Sequence, residues 1–139
     1  MTIKIKKGIK ELVLEAEEVI TTVSTEEAIE LHANDDESTV FVDIRDIREL
    51  ERDGMVPGAI HVPRGMTEFW FDPESPYHKK SLADESKTYI LYCAAAWRSA
   101  LTCKTLNDMG FTNTVHFAEG FNGWKKSGGP IVEKPSRKN

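Results

Sequence analysis

The sequence predicts an α/β fold in which a parallel sheet carries helices on both faces. Two observations carry this. Short strand-like runs alternate with stretches of helical periodicity along the chain. Residues 40–44 and 88–92 are apolar almost throughout, as strands buried on both faces are. The length of 139 residues suits one domain, and a chain of this size buries roughly 65–70% of its unfolded surface. In such sheets ligands bind outside the carboxyl ends of the strands, so attention falls on the segments there.

The elements follow in order. Ile9, Leu12, Val13, Ala16 and Val19 repeat near 3.6 residues and predict a helix over 8–19. Residues 20–23 read as a short strand, and Ser24 before Glu26-Glu27 is a helix N-cap, with the helix ending near Asn34. The strand 40–44 leads to a helix over 47–52 that Asp53-Gly54 stops. After the Pro57-Gly58 turn comes a strand over 59–62, closed by Pro63, then a helical turn over 67–71 and a loop over 72–76. The strand 88–92 is followed by a helix over 99–109, with Gly110 as its C′ residue. A strand over 114–117, a short helix over 121–126 and a turn at Gly128-Gly129-Pro130 complete the chain. Residues 1–18 form a helical extension, 19–134 the domain and 135–139 a frayed tail.

Composition narrows the function. At 40% hydrophobic and 29% charged, the chain has the make-up of a soluble globular protein. A net charge of −5 argues against general binding to nucleic acid backbone. No apolar run approaches the roughly 20 residues that cross a bilayer, and no apolar stretch follows the basic start. A cytoplasmic protein without a membrane partner is expected. Cys93 and Cys103 are too few for a disulfide scaffold, and no Cys/His spacing suggests a metal or another cofactor.

Cys93 ends an apolar strand and opens the loop Cys93-Ala94-Ala95-Ala96-Trp97-Arg98-Ser99 before a helix. Backbone N–H groups in such a loop and in the first helical turn lack intrahelical partners. With the positive end of the helix dipole and Arg98, they favour a thiolate or hold an anionic group. Three alanines leave the backbone open to close approach. Cys93 is thus the candidate nucleophile, and Ala94, Ala95, Ala96, Trp97, Arg98 and Ser99 are the candidate binding loop.

Over residues 19–132 the chain resembles a single-domain rhodanese. Asp43-Ile44-Arg45 resembles the family's Asp-x-Arg, and residues 54–63 resemble its Gly-His-Ile-Pro-Gly-Ala-x-x-x-Pro, with Met55 where His is common. Gly120-Phe121-Asn122-Gly123-Trp124 with Gly129-Pro130 resembles the Gly-Gly-x-x-x-Trp and Gly-x-Pro ending, with Phe121 in place of the second Gly. The resemblance implies a rhodanese-like three-layer fold around a five-stranded parallel sheet. It also implies a sulfurtransferase in which the Cys93 thiolate takes a sulfane sulfur from a donor such as thiosulfate and passes it to a thiol or cyanide. Many active rhodaneses carry a basic residue and a Gly in the loop where this chain has alanines, and some carry Arg where it has Glu49. A less charged donor, or a protein persulfide partner, fits as well as thiosulfate.

Two other readings stand beside this one. Cysteine phosphatases and arsenate reductases on related scaffolds have a C-x5-R loop, one residue longer than the four between Cys93 and Arg98. A rhodanese-like binding module without turnover is the other, although such modules often lack the cysteine. Among the remaining residues, Asp43 and Arg45 are expected to support the loop, with Asp43 accepting hydrogen bonds from Arg98 or loop amides. Arg64 and Trp70 are candidates for a pocket rim. His61 and Cys103 read as structural, Lys79-Lys80 and Lys125-Lys126 as solvated faces, and His32, His78 and His116 show no partner in the sequence.

Overall fold

A computed structural model describes residues 1–134; the predicted tail at 135–139 lies outside them. Its core is a five-stranded, wholly parallel sheet in the order β1-β5-β4-β2-β3, comprising Thr22–Val23, Thr114–Phe117, Thr88–Tyr92, Thr39–Asp43 and Ile60–His61. Helices α1 (Ile9–Val19), α2 (Thr25–Ala33), α3 (Ile47–Asp53), α4 (Thr67–Phe71), α5 (Trp97–Met109) and α6 (Gly120–Lys126) connect and cover it. Among the described residues no helix is long and apolar enough to cross a membrane.

The period of two along each strand divides the core. From β2 and β4, Val42, Tyr89 and Leu91 join Ile44, Val62, Phe71, Leu82, Leu106 and Cys93 on one side. On the other, Phe41, Ile90 and Tyr92 pack with Ala28, Val56, Phe117, Phe121 and Trp124. Nearly continuous apolar strands are therefore a consequence of two buried faces. In register, Asp43 stands beside Tyr92 and His61, which brings the ends of β2, β3 and β4 to one edge.

Boundaries shift where tertiary contacts intervene. Strand β1 is limited to Thr22–Val23 because Ile20 instead packs with Val13, Ala16 and Ala100. Helix α1 thus lies against α5 through its buried Val13 and Ala16. Helix α3 starts with a capping box between Asp46 and Glu49 and stops at Gly54, at φ +86°. A side chain at Gly54 would meet Ile131 and the Val132 carbonyl, because Met55 and Val132 pair antiparallel there.

Candidate active site

Helix α5 begins at Trp97, two residues before the predicted start, and Cys93 explains why. Ala96 is the N-cap and offers no side-chain acceptor. The Cys93 Sγ takes that role, accepting from the Ser99 amide at 3.3 Å and the Ala96 amide at 3.2 Å. An N-cap side chain ordinarily satisfies the amide three positions into the helix, and here a sulfur does so from the preceding strand end. The arrangement sets two N–H dipoles and the positive end of a 13-residue helix on one sulfur atom. Cys93 is 1% exposed, Ala95 and Trp97 face solvent, and Ala94 and Arg98 lie between.

The carbonyls of the loop are held from the opposite side. Phe121 N–H donates to the Cys93 carbonyl at 2.8 Å and Asn122 N–H to that of Ala94 at 2.9 Å. This requires α6 to start in contact with the loop, and Gly120 permits it. At φ +62°, a Cβ there would lie 2.6 Å from the Cys93 carbonyl oxygen and 2.7 Å from that of Ala94. Counted back from Trp124, Gly120 fills the second glycine position of the Gly-Gly-x-x-x-Trp pattern and Glu119 the first. The expectation that Phe121 replaces the second Gly is corrected accordingly: Phe121 is a buried core residue.

Asp43 and Arg45 do not serve the loop as expected. Asp43 accepts from the Arg45 amide at 3.0 Å and from its guanidinium at 2.7–3.2 Å, and both side chains are buried. Arg45 also donates to the Gly54 carbonyl at 2.7 Å and stacks on Phe121, 4.2 Å from the ring centroid. Its effect on the loop passes through α6. Arg98 instead forms two parallel bonds to Glu49, at 2.8 and 3.0 Å. Arg45, two residues from Asp43, bonds both of its oxygens. Hydrogen bonding from Arg98 holds the Glu49 carboxyl below its usual range.

The histidines have partners after all, supplied by distant elements. His116 Nδ1 lies 2.9 Å from Ser99 Oγ and its Nε2 2.9 Å from Thr22 Oγ1, linking β5 to both α5 and β1. Ser99 Oγ also lies 3.2 Å from the Ala96 carbonyl, closing the first turn of the loop helix. Burial lowers the His116 pKa to about 4, so the ring is neutral at pH 7. His32 bonds the Pro57 carbonyl, His78 that of Trp70, and His61 that of Arg45 at 2.7 Å, a structural role.

Among the described residues no hydrogen bond joins Arg64 or Trp70 to the loop. Arg64 pairs with Glu68 at 3.4 Å, and half-buried Trp70 packs on the core cluster containing Cys93. Lys79, though exposed, sits 4.3 Å over the Trp70 ring. Cys103 is buried, donates to the Thr114 carbonyl and has its pKa raised to about 11 by burial, which disfavours its thiolate at pH 7. The sequence reading missed the roles of Glu49, Gly120 and His116. A lone histidine within an apolar strand and a glycine four residues before Trp124 were the available signals.

Comparison with known proteins decides the family. The Rhodanese-like domain family matches residues 24–127. The chain belongs to this family. Among rhodanese-like and related proteins, it is 28% identical over 98 residues to the putative sulfur carrier protein YrkF of Bacillus subtilis (strain 168). That match covers 70% of this chain and 48% of YrkF, so this chain spans about half the length of that relative. The dual specificity phosphatase Cdc25 of Arabidopsis thaliana is 26% identical over 121 residues, 81% of this chain and 77% of that protein. Among solved structures, RPA3614 of Rhodopseudomonas palustris CGA009 is described as a possible tyrosine phosphatase. It matches with TM-score 0.92 and 46% identity over 95% of this chain and 99% of its own. The polysulfide-sulfur transferase homodimer of Wolinella succinogenes matches with TM-score 0.70 and 28% identity over 90% and 87%. Two of these relatives are thus named for sulfur chemistry and two for phosphatase activity.

Proposed function

We propose that this rhodanese-like protein is a sulfurtransferase that carries a sulfane sulfur as a persulfide on Cys93. The observation behind the reading is the Cys93 Sγ seated on the Ala96 and Ser99 amides at the start of α5. Those donors stabilise negative charge on the attacking sulfur without a neighbouring base. Attack on the outer sulfur of a donor forms the Cys93 Sγ–S bond and releases sulfite from thiosulfate, or a thiolate from a persulfide. A thiol or cyanide then removes the outer sulfur and restores the thiolate, so two displacements replace one. The deep position of Cys93, 1% exposed, favours a slender terminal sulfur over a bulky tetrahedral group.

The names of Cdc25 and RPA3614 favour a second reading, phosphate ester hydrolysis on the same cysteine. Two features weigh against it. Only four residues separate Cys93 from Arg98, and the Arg98 guanidinium, which would hold a phosphate, is bound by Glu49.

Intact mass after incubation with thiosulfate, or with an alkyl persulfide, tests the proposal. The protein should gain one sulfur atom, lose it to cyanide, and gain nothing as Cys93→Ser; Cys103→Ser should behave as the parent. A persulfide still formed by Cys93→Ser would remove the mechanism. Hydrolysis of an aryl phosphate should be negligible, and robust Cys93-dependent turnover would put the phosphatase reading first.

A further inference from the structure

Arg98 is the cation of the Cys93 loop, and its charge is cancelled on the spot. Its two terminal nitrogens meet the two carboxylate oxygens of Glu49 at 2.8 and 3.0 Å. Glu49 is fixed for this role: Oε1 also accepts the Asp46 amide at 3.1 Å in the capping box of α3, and its side chain is 20% exposed against 41% for Arg98. The other guanidinium beneath the loop, Arg45, is likewise paired, with Asp43. An incoming donor therefore meets amide dipoles and neutral ion pairs, with no net positive charge from either arginine.

We propose that Glu49 is a specificity-determining residue that cancels Arg98 over the Cys93 cradle. It thereby selects donors with at most one negative charge, alkyl or protein persulfides, against dianionic thiosulfate. The inference rests on the reading of Cys93 as a persulfide carrier. The physical ground is Coulomb's law: a fixed carboxylate near the path acts on a dianion with twice the energy it exerts on a monoanion. The chemistry is the same for both donors. The bonding pair of the donor's S–S bond leaves on sulfite in one case and on an alkanethiolate in the other, while the sulfane sulfur stays on Cys93. No oxidant or reductant enters.

Glu49→Gln tests the inference, because Gln retains the shape and serves the capping box equally well. The readout is kcat/KM for Cys93 persulfidation by thiosulfate divided by that for ethyl persulfide generated in situ. The parent should prefer ethyl persulfide, and Glu49→Gln should raise the thiosulfate-to-persulfide ratio at least tenfold. Raising ionic strength should shrink that gain, since the pair is partly exposed to solvent. A ratio unchanged within threefold, in a variant with the parent's circular dichroism and persulfidation by ethyl persulfide, overturns the role of Glu49 alone. No sulfur gained by the parent from either donor removes the persulfide reading, and this inference with it.

Discussion

Ala96 holds the least comfortable backbone in the site. Its φ is +125°, a region that L-residues seldom adopt and that glycine enters freely. Such a conformation costs about 1–3 kcal/mol and persists here because the amide must face Cys93 Sγ while the carbonyl receives Ser99 Oγ. Ala96→Gly should relieve strain yet lose a buried methyl and stiffen the unfolded chain less, leaving a net gain of up to about 1 kcal/mol in urea unfolding. Ala96→Val, branched at Cβ, should lose about 2 kcal/mol or more. A stable valine variant would show that this turn relaxes without cost.

At the scale of elements, the site depends on how closely α6 and β5 approach the loop. Gly120→Ala would push a methyl into the Cys93 and Ala94 carbonyls, where backbone and not a flexible side chain must yield. We expect a loss of about 2–4 kcal/mol in urea unfolding and slower persulfidation. His116 ties β5 to α5 and β1, and it is neutral in the folded protein. Because its pKa falls to about 4 from 6.5, the unfolded chain binds the extra proton between those values. The associated stability is complete above pH 6.5 and lost as pH falls through about 4, some 3 kcal/mol in all. Unfolding free energies at pH 4.5 and 7 should therefore differ less for His116→Gln than for the parent; equal differences would assign the acid sensitivity to other groups.

Across the whole molecule, the Asp43–Arg45 pair joins β2, the turn at Gly54 and α6 beneath the sheet edge. Breaking one partner leaves a buried charge without compensation, which typically costs about 3–5 kcal/mol. Arg45→Met should show that loss in urea denaturation. Asp43→Leu combined with Arg45→Met should recover much of it, since apolar replacement of both partners removes the desolvation cost as well. A single variant as stable as the parent would mean that water or another cation reaches Asp43.

The sequence by itself determined the architecture and the place of Cys93 at a strand end. Residues 40–44 and 88–92 have apolar side chains on both faces, so only a covered parallel sheet can bury them, and Cys93 must then emerge at a strand's carboxyl end. The spacing to Arg98 is likewise a property of the chain. Which groups meet there was decided by tertiary structure. Asp43 turned to Arg45, two residues away, and left Arg98 to Glu49, 49 residues distant. His116 found Ser99 and Thr22 only when β5 was set between β1 and β4. Periodicity records which face of an element is buried; it carries no record of which polar groups on separate elements will share that burial. The start of α5 shows the same division, because no local residue caps it and a sulfur from the end of β4 does.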